Sequence, residues 1–215
     1  LLIILKKIIK IMNLDIIENF LDSDDLRYLS SIDTKSVESD ELKTYQNTIY
    51  KDHIIQNDCI DEKKLRALNH RYHNTAINLL KKLNPEKAKL YEYSEFSIIE
   101  TGSNYKFPIH DDTPNKLLSG VVYLRPEKNA GTFFYKNKFG KDKNEIEWKI
   151  NKAVFFSRSE RQTWHSYEGD GKSNRIVLVY NLMTKKIKDV YKIEGKNYFF
   201  GQFRYKINYC LYKFL

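Results

Sequence analysis

A histidine and an aspartate, His110 and Asp112, lie two residues apart near the middle of the sequence. In an extended strand alternate side chains share a face, so these two would lie on one face and Asp111 on the other. An imidazole and a carboxylate on one face can bind one metal ion if a third ligand comes from elsewhere, and His165 is our candidate for that ligand. Two imidazole nitrogens and one carboxylate oxygen suit iron(II) and leave coordination positions open.

Arg175 follows ten residues after His165 and opens the apolar run Ile176-Val-Leu-Val-Tyr180. A guanidinium group presents a rigid fork that matches a carboxylate. An arginine at the start of a strand is, by itself, most simply a surface cation. Beside a metal-binding triad we interpret Arg175 as the anchor for a carboxylate of a second bound molecule.

The other histidines are weaker candidates for metal binding. His70 and His73 lie three residues apart in a predicted helix, and no carboxylate or cysteine accompanies them at ligand spacing. We therefore interpret both of them, and His53, as histidines without a metal-binding role.

The residues that must position the triad form a predicted series of short strands after Pro85, rich in Ile, Val, Phe and Tyr and separated by turn-forming residues. The predicted strands are Tyr91–Glu100, Lys106–His110, Leu117–Leu124, Thr132–Tyr135, Glu145–Ile150, Ala153–Phe156, Thr163–Tyr167 and Arg175–Leu182. Strands at this spacing after N-terminal helices predict a mainly β protein with a double-stranded β-helix, or jelly-roll, core. That topology would bring His110 close to His165 and Arg175.

The first part of the chain is predicted to be largely helical. A short strand in residues 13–21 leads into a helix for which Ser23 is a suitable N-cap. A longer helix begins after Asp61 and ends near Pro85, because apolar residues recur at helical spacing between them. Residues 31–60 carry no pattern that predicts an element.

These patterns predict one domain, at residues 12–184, with a helical layer up to about residue 85 and the jelly roll at about 90–182. Residues 1–11 form an uncertain extension, because lysines interrupt their apolar stretch and a bilayer-spanning helix needs about 20 apolar residues. Residues 185–215 form a basic, aromatic tail that we expect to pack on the domain.

The composition is that of a globular protein with a net charge of +9. Its lysines are scattered rather than gathered in one block, so we do not expect a nucleic-acid partner. Cys59 and Cys210 are its two cysteines, which suits a reducing compartment without disulfide bonds. Without a convincing signal peptide or membrane span, we expect a cytoplasmic protein with no stable membrane insertion.

Several motifs follow one another in a recognisable order between about Asn13 and Leu182. They are Ile98-Ile-Glu-Thr-Gly-Ser-Asn-Tyr-Lys-Phe-Pro-Ile-His-Asp-Asp112, Leu118-Ser-Gly-Val-Val-Tyr-Leu124, Ala130-Gly-Thr-Phe-Phe134, Ala153-Val-Phe-Phe-Ser157, Trp164-His165 and Asn174-Arg-Ile176. In this order the chain resembles the 2-oxoglutarate/iron(II)-dependent dioxygenases, in particular their prolyl-hydroxylase-like branch. The last three motifs are the more specific ones, because they give a strand, a ligand histidine and an arginine in the family's order.

The resemblance implies a role for each residue of the motif. His110, Asp112 and His165 would hold Fe(II), and Arg175 would bind 2-oxoglutarate. Many relatives carry a supporting tyrosine on the strand before the His-x-Asp motif, where this chain has Glu100.

Two tyrosines are candidates to assist in binding 2-oxoglutarate. Tyr123 matches a position where a family tyrosine hydrogen-bonds the same carboxylate, and Tyr105 lies closer to the metal motif. The choice between them stays open.

The implied activity is hydroxylation of a protein side chain such as proline, or of a small molecule, with O2 and 2-oxoglutarate consumed and succinate and CO2 released. Ascorbate would be an accessory reductant. The carboxylate of Asp112 argues against the halogenating relatives, which have a small residue there. The nucleic-acid demethylase relatives carry a second arginine where this chain has Asn181.

Two alternatives come from other classes of protein. One is a non-catalytic jelly-roll binding module that keeps the ligand pattern. The other is a nucleic-acid-binding protein that uses the basic, aromatic tail. Arg175 favours the enzyme, since a simple binding barrel has no need of a carboxylate anchor at that position.

Overall fold

The computed structural model describes residues 14–57 and 59–204. The predictions made for residues 1–11, for Cys210 and for the tail beyond residue 204 lie outside the described residues.

Short strands and two main helices come first in the chain. They are β1 (Leu14–Ile17), α1 (Ser23–Ser30), β2 (Leu42–Ile49), β3 (Ile54–Ile55), α2 (Glu62–Leu83) and the single-turn α3 (Pro85–Ala88). Asp61 caps α2 as predicted, because its carboxylate accepts a hydrogen bond from the Lys64 amide at 2.9 Å. The cap of α1 is Asp22, whose carboxylate accepts from the Asp25 amide at 2.8 Å, and not the predicted Ser23.

Eight strands follow, at positions close to those predicted. They are β4 (Tyr93–Thr101), β5 (Lys106–His110), β6 (Lys116–Arg125), β7 (Thr132–Tyr135), β8 (Asn144–Ile146), β9 (Ala153–Phe156), β10 (Trp164–Glu168) and β11 (Arg175–Met183). The predicted strand Glu145–Ile150 is shorter in the structure. Trp148 lies beyond its end and stacks on Tyr123, with 4.5 Å between the ring centroids.

The strands form two antiparallel sheets. The larger has seven strands in the order β1-β9-β6-β11-β4-β2-β3, and the smaller has four in the order β5-β10-β7-β8. Strands that follow one another in the chain therefore often lie in different sheets, as β4 and β5 do. The predicted fold class, mainly β with a jelly-roll core, is confirmed.

β2 lies within residues 31–60, where the sequence predicted no element. It pairs with β4 from Leu42 opposite Thr101 to Ile49 opposite Ser94. None of its first five residues is buried, and its sequence, Leu-Lys-Thr-Tyr-Gln-Asn-Thr-Ile, lacks the regular apolar alternation that predicts a strand.

The two faces of the seven-stranded sheet carry different cores. On one face α2 packs through Leu65, Leu68 and Leu80, which are fully buried. Each such leucine stabilises the fold by about 1.5–3 kcal/mol. The opposite face meets the four-stranded sheet through a smaller apolar cluster that includes Phe134 and Phe156. The candidate site lies in this second layer.

The chain continues past the last strand. α4 spans Ile187–Ile193, residues 198–204 are also helical, and Val190 and Tyr191 are buried. Within the described residues, no helix has the length and apolar character needed to cross a lipid bilayer.

Candidate metal centre

The three predicted metal ligands are brought together at one end of the four-stranded sheet. His110 is the last residue of β5 and lies directly opposite His165 of β10 in the strand register. Asp112 follows two residues after β5, and its Oδ2 atom is 4.0 Å from His165 Nε2. One ligand atom from each of these residues lies within 4.8 Å of the other two, so together they can hold a metal ion.

The two imidazole rings are oriented by main-chain carbonyls. His110 Nδ1 lies 2.9 Å from the Pro108 carbonyl oxygen, and His165 Nδ1 lies 2.9 Å from the Thr163 carbonyl oxygen. A carbonyl oxygen can only accept, so each Nδ1 carries the proton and each Nε2 keeps a free lone pair. That tautomer is the one in which Nε2 can bind a metal.

The protein environment keeps His110 neutral. Burial, followed by repulsion from His165, lowers the pKa of His110 from 6.5 to about 3. A metal ion therefore does not have to displace a proton from this imidazole near neutral pH.

The carboxylate of Asp112 is held in one orientation by two neighbours. Lys116 Nζ donates to its Oδ1 atom at 2.7 Å, and Ser119 Oγ donates to its Oδ2 atom at 2.5 Å. Burial alone would raise the pKa of this group, but attraction from Lys116, His165 and His110 together lowers it well below its usual range. Asp112 thus offers an ionised and oriented carboxylate.

Asp111 points away from the cluster, as its place in the alternation predicted. Its Oδ2 atom accepts hydrogen bonds from the Arg161 amide at 3.0 Å and from Arg204 Nη2 at 2.9 Å. Among the residues described, the triad is the one group of histidine, cysteine and acidic side chains with metal-binding geometry.

Arg175, the predicted carboxylate anchor, is buried without an anionic partner. Its side chain is at the start of β11, the whole residue is 6% exposed, and no carboxylate of the described residues forms an ion pair with it. Its Nε atom has no hydrogen-bond partner there, and Nη1 makes only a long contact of 3.4 Å to the Ala130 carbonyl oxygen. Burial lowers the pKa of Arg175 to about 10, so the group stays charged at neutral pH.

An unpaired buried charge is costly, and proteins normally pair such groups with an anion. Here the face of the guanidinium lies on the ring of Tyr167, with 3.2 Å from Cζ to the ring centroid. This contact offsets part of the cost through the negative face of the ring. The edge of the fork has no carboxylate partner among the described residues.

The triad and Arg175 line the same cavity, which has a volume of about 150 Å³. Its wall is mostly apolar, with side chains that include Ile99, Val121, Phe156, Val177 and Val179. Arg175 and the triad can therefore contact one small molecule in a mostly apolar cavity.

Neither of the tyrosines predicted to assist Arg175 is among the residues that line the cavity. Tyr123 is fully buried behind the cavity wall, and its hydroxyl accepts from the Thr132 amide at 3.0 Å and contacts Thr132 Oγ1 at 2.9 Å. Tyr105 packs near Phe107, with 6.3 Å between ring centroids, and is not among the residues that line the cavity.

Glu100 also faces away from the cavity. One of its carboxylate oxygens accepts from the Thr34 hydroxyl, and the other accepts from Asn174 Nδ2 at 3.3 Å. Its neighbours Ile99 and Thr101 line the cavity instead, because alternate residues of β4 face opposite sides.

The sequence interpretation missed Tyr167, although a pattern was available. Tyr167 lies two residues after His165 in a predicted strand, and that spacing places both side chains on the cavity side. His73 and His53 lie outside the cavity: His73 packs on Tyr91 at 5.0 Å, and His53 stacks on Tyr50 at 4.5 Å between ring centroids.

No protein-family model matches this sequence, and no curated protein matches it either. Solved structures do match. A prolyl-4-hydroxylase from Pseudomonas putida has a TM-score of 0.54 at 14% identity, and the match covers 86% of this chain and 100% of the other.

Two further structures extend the comparison. A 2OG-Fe(II) oxygenase family oxidoreductase from Burkholderia pseudomallei has a TM-score of 0.57 at 12% identity, with 82% of this chain and 87% of the other covered. A prolyl hydroxylase from Trichoplax adhaerens, solved with a hypoxia inducible factor peptide fragment, has a TM-score of 0.52 at 15% identity, with 86% and 89% covered. The chain therefore has the fold of 2OG-Fe(II) oxygenases, and the prolyl-hydroxylase-like resemblance is reflected in its structural neighbours.

Proposed function

We propose that this chain is a 2-oxoglutarate- and Fe(II)-dependent dioxygenase that hydroxylates its substrate. The observation that carries the proposal is the cavity with a metal-binding triad at one end and a buried, unpaired Arg175 at the other. Neither the triad nor the arginine alone would define the class of molecule that binds. Together they match a molecule that offers a metal-chelating keto acid at one end and a second carboxylate at the other.

The donor set fits Fe(II). His110 and His165 present their Nε2 atoms, because each Nδ1 donates to a main-chain carbonyl, and Asp112 presents an ionised carboxylate on the same side. Two imidazoles and one carboxylate leave a face of the metal open for other ligands. A jelly-roll binding module without catalysis would need neither this open face nor a charged anchor opposite it.

Arg175 would bind the distal carboxylate of 2-oxoglutarate through its free edge. A bidentate pair between guanidinium and carboxylate supplies both charge compensation and orientation. The ring of Tyr167 holds the plane of the guanidinium. Tyr123 packs in one apolar cluster with Phe156 and Val177, which line the cavity, and so supports its wall. Tyr105 is outside the set of residues that line the cavity, so we assign it no part in binding.

The proposed reaction consumes one O2 and one 2-oxoglutarate, and gives hydroxylated substrate, succinate and CO2. Bound at the triad, Fe(II) would supply the open positions at which the keto acid and O2 react. The residues of this chain orient the co-substrate through Arg175, keep His110 neutral and Asp112 ionised, and exclude water with an apolar wall. Ascorbate would serve to keep the iron reduced.

The residues around the triad favour hydroxylation over two related reactions. Asp112 supplies a carboxylate where a small residue would be needed to leave room for a halide ligand. Asn181, which lines the cavity, stands where a demethylase of nucleic acids would have a second arginine. We propose a protein side chain such as proline, or a small molecule, as the substrate, and the Trichoplax adhaerens neighbour was solved with a peptide.

The test is turnover of labelled 2-oxoglutarate by the purified full chain with Fe(II) and ascorbate. Release of labelled succinate above the level of a no-iron control is expected even without the true substrate, since uncoupled decarboxylation needs only the co-substrate and O2. His110→Ala is the matched negative variant. If wild-type protein binds neither Fe(II) nor 2-oxoglutarate, or if His110→Ala releases succinate at the wild-type rate, the proposal is wrong.

A further inference from the structure

The loop that carries Asp112 is held on its outer side, away from the cavity, by contacts from the part of the chain that follows β11. Arg204, in the helical segment 198–204, donates to Asp111 at 2.9 Å, and its Nε atom lies 2.8 Å from Glu160 Oε1. The Arg161 amide donates to the same Asp111 oxygen at 3.0 Å. Asp111 is thus bonded to two elements distant from it in sequence.

A second set of contacts holds the main chain of Asp112 itself. Arg158 is 1% exposed, and its Nε atom donates to the Asp112 carbonyl oxygen at 3.1 Å. The other side of this guanidinium is bonded to the Glu194 carboxylate, with Nη1 at 2.9 Å and 2.8 Å from its two oxygens. Glu194 follows directly after α4.

Glu194 is the shared carboxylate partner of two buried cations, Arg158 and Lys87. Lys87 is fully buried, and its Nζ atom donates to Glu194 at 2.6 Å and also to the Arg158 carbonyl oxygen. The Glu160 amide donates to the second Glu194 oxygen at 3.1 Å. Glu194 therefore fixes Arg158 in the position from which it reaches Asp112.

These contacts matter because Asp112 lies beyond the last residue of β5, so the strand pairing that aligns His110 with His165 ends before it. On the cavity side Lys116 and Ser119 orient the carboxylate. On the outer side, Arg158 and the pair of Asp111 with Arg204 fix the backbone from which that carboxylate projects.

We propose that Arg158, Glu194 and Arg204 form a C-terminal clamp, and that its members are positioning residues which set the affinity of the triad for its metal. The proposal rests on the proposed function, because it assumes that His110, Asp112 and His165 bind a metal ion. Groups that orient metal ligands commonly change metal affinity by about 10- to 100-fold when they are removed.

Arg204→Gln is the test variant, because its side chain is partly exposed and its loss leaves the buried Lys87, Arg158 and Glu194 cluster intact. The metal-free full chain is titrated with Co(II), which absorbs visible light and is stable in air. We expect Arg204→Gln to bind Co(II) about 10-fold more weakly than wild type. The thermal unfolding midpoint of its metal-free form is measured beside that of Arg66→Gln, a control that removes a surface arginine from the Glu62 pair on α2. A midpoint below that of the control is expected, because the buried carboxylates of Asp111 and Glu160 each lose a cationic partner.

Two further variants separate positioning from general structural damage. Arg204→Lys keeps a cation opposite Asp111 and is expected to recover part of the lost affinity. Asp111→Asn removes the other partner, and if the pair acts as a unit, the double variant with Arg204→Gln loses less affinity than the product of the two single losses.

The outcomes discriminate between the two proposals. If wild-type protein binds no Co(II), the metal centre of the proposed function fails, and the clamp fails with it. If wild type binds Co(II) and both Arg204→Gln and Asp111→Asn bind it within about two-fold of wild type, the clamp is wrong and the proposed function stands. The clamp is also wrong if Arg204→Gln binds Co(II) more weakly and unfolds at a lower temperature, and Arg204→Lys restores neither property.

Discussion

The two ends of the cavity differ in how far their polar groups are satisfied. At the metal end, both Nδ1 atoms and both oxygens of Asp112 have protein partners between 2.5 and 2.9 Å. At the other end, the guanidinium of Arg175 has one long contact, a buried Nε atom without a partner and no carboxylate among the described residues. Under the proposed function, the metal end holds its ligands in place before a metal binds, whereas the Arg175 end would be completed by the carboxylate of the co-substrate.

The two ends of the cavity would contribute to the free energy of ligand binding in different ways. Oriented ligands lose little freedom when a metal binds, so the metal end gains affinity from preorganisation. An unpaired buried charge raises the free energy of the empty protein, so pairing it with a carboxylate gains both the new bond and relief of that cost. Substitutions at the two ends should therefore have opposite consequences for the stability of the ligand-free fold.

Removal of a metal ligand is the most severe change at the metal end. His165→Ala should lower succinate release by at least about 100-fold, beyond the 10- to 100-fold typical for residues that only support a ligand. The metal-free protein should lose stability, because His165 packs on Phe156 at 4.8 Å and leaves a cavity when truncated. Turnover assays and chemical denaturation measure the two effects, and near-wild-type turnover would show that His165 is not a ligand.

Arg175→Met tests the opposite end. The apparent affinity for 2-oxoglutarate should fall about 10- to 100-fold, since hydrogen bonds to charged groups contribute about 1.5–3 kcal/mol. The unfolding free energy of the ligand-free protein, measured beside that of His165→Ala, should not fall, because an unpaired charge is replaced by an apolar side chain of similar length. If the ligand-free variant is clearly less stable than wild type, then the unpaired guanidinium does not lower the stability of the wild-type fold, and this interpretation of Arg175 is wrong.

Lys116→Met is expected to have a smaller effect at the metal end. It removes the ammonium group that lies 2.7 Å from Asp112 Oδ1 but leaves the three ligands in place. Metal affinity should fall about 10-fold, since Lys116 holds the carboxylate in orientation. Lys106→Met, which removes an exposed lysine from a pair with Glu168, is the control and should leave metal affinity unchanged.

The smallest effects are expected from substitutions of Tyr167, beside Arg175. Tyr167→Phe keeps the ring under the guanidinium and should leave the affinity for 2-oxoglutarate within about two-fold of wild type. Tyr167→Ala should weaken that affinity several-fold, because it removes a cation–π contact of about 0.5–2 kcal/mol. Calorimetric titration of the metal-loaded protein measures both. Equal losses in the two variants would assign the effect to the hydroxyl, which contacts Asn129 at 3.2 Å, and not to the ring.

Much of the metal end was accessible from the sequence. The spacing of His110 and Asp112 indicated a shared face, and the predicted strand order indicated that His165 would come next to them. The fold places these residues together through the pairing of β5 with β10. A strand register depends on turn lengths and on the packing of two sheets, so the distances themselves could not be obtained from spacing.

The Arg175 end was only partly accessible. The family resemblance drew attention to Glu100, but alternation along β4 turns that side chain toward Thr34, in a segment with no predictive pattern. Tyr105 lies outside the cavity for a similar reason, since it precedes β5 in a turn. Tyr167 was detectable by its two-residue spacing from His165, although an irregularity in the register between them interrupts the regular pairing on which that argument depends.

The C-terminal clamp has a consequence for the order of events during synthesis. A nascent chain that has reached Met183 already contains the triad and Arg175, but Glu194 and Arg204 have not yet been added. Until they are, Arg158 lacks its anionic partner and Asp111 lacks one of its two donors. The residues that support the Asp112 loop from outside are therefore synthesised after His110, Asp112, His165 and Arg175.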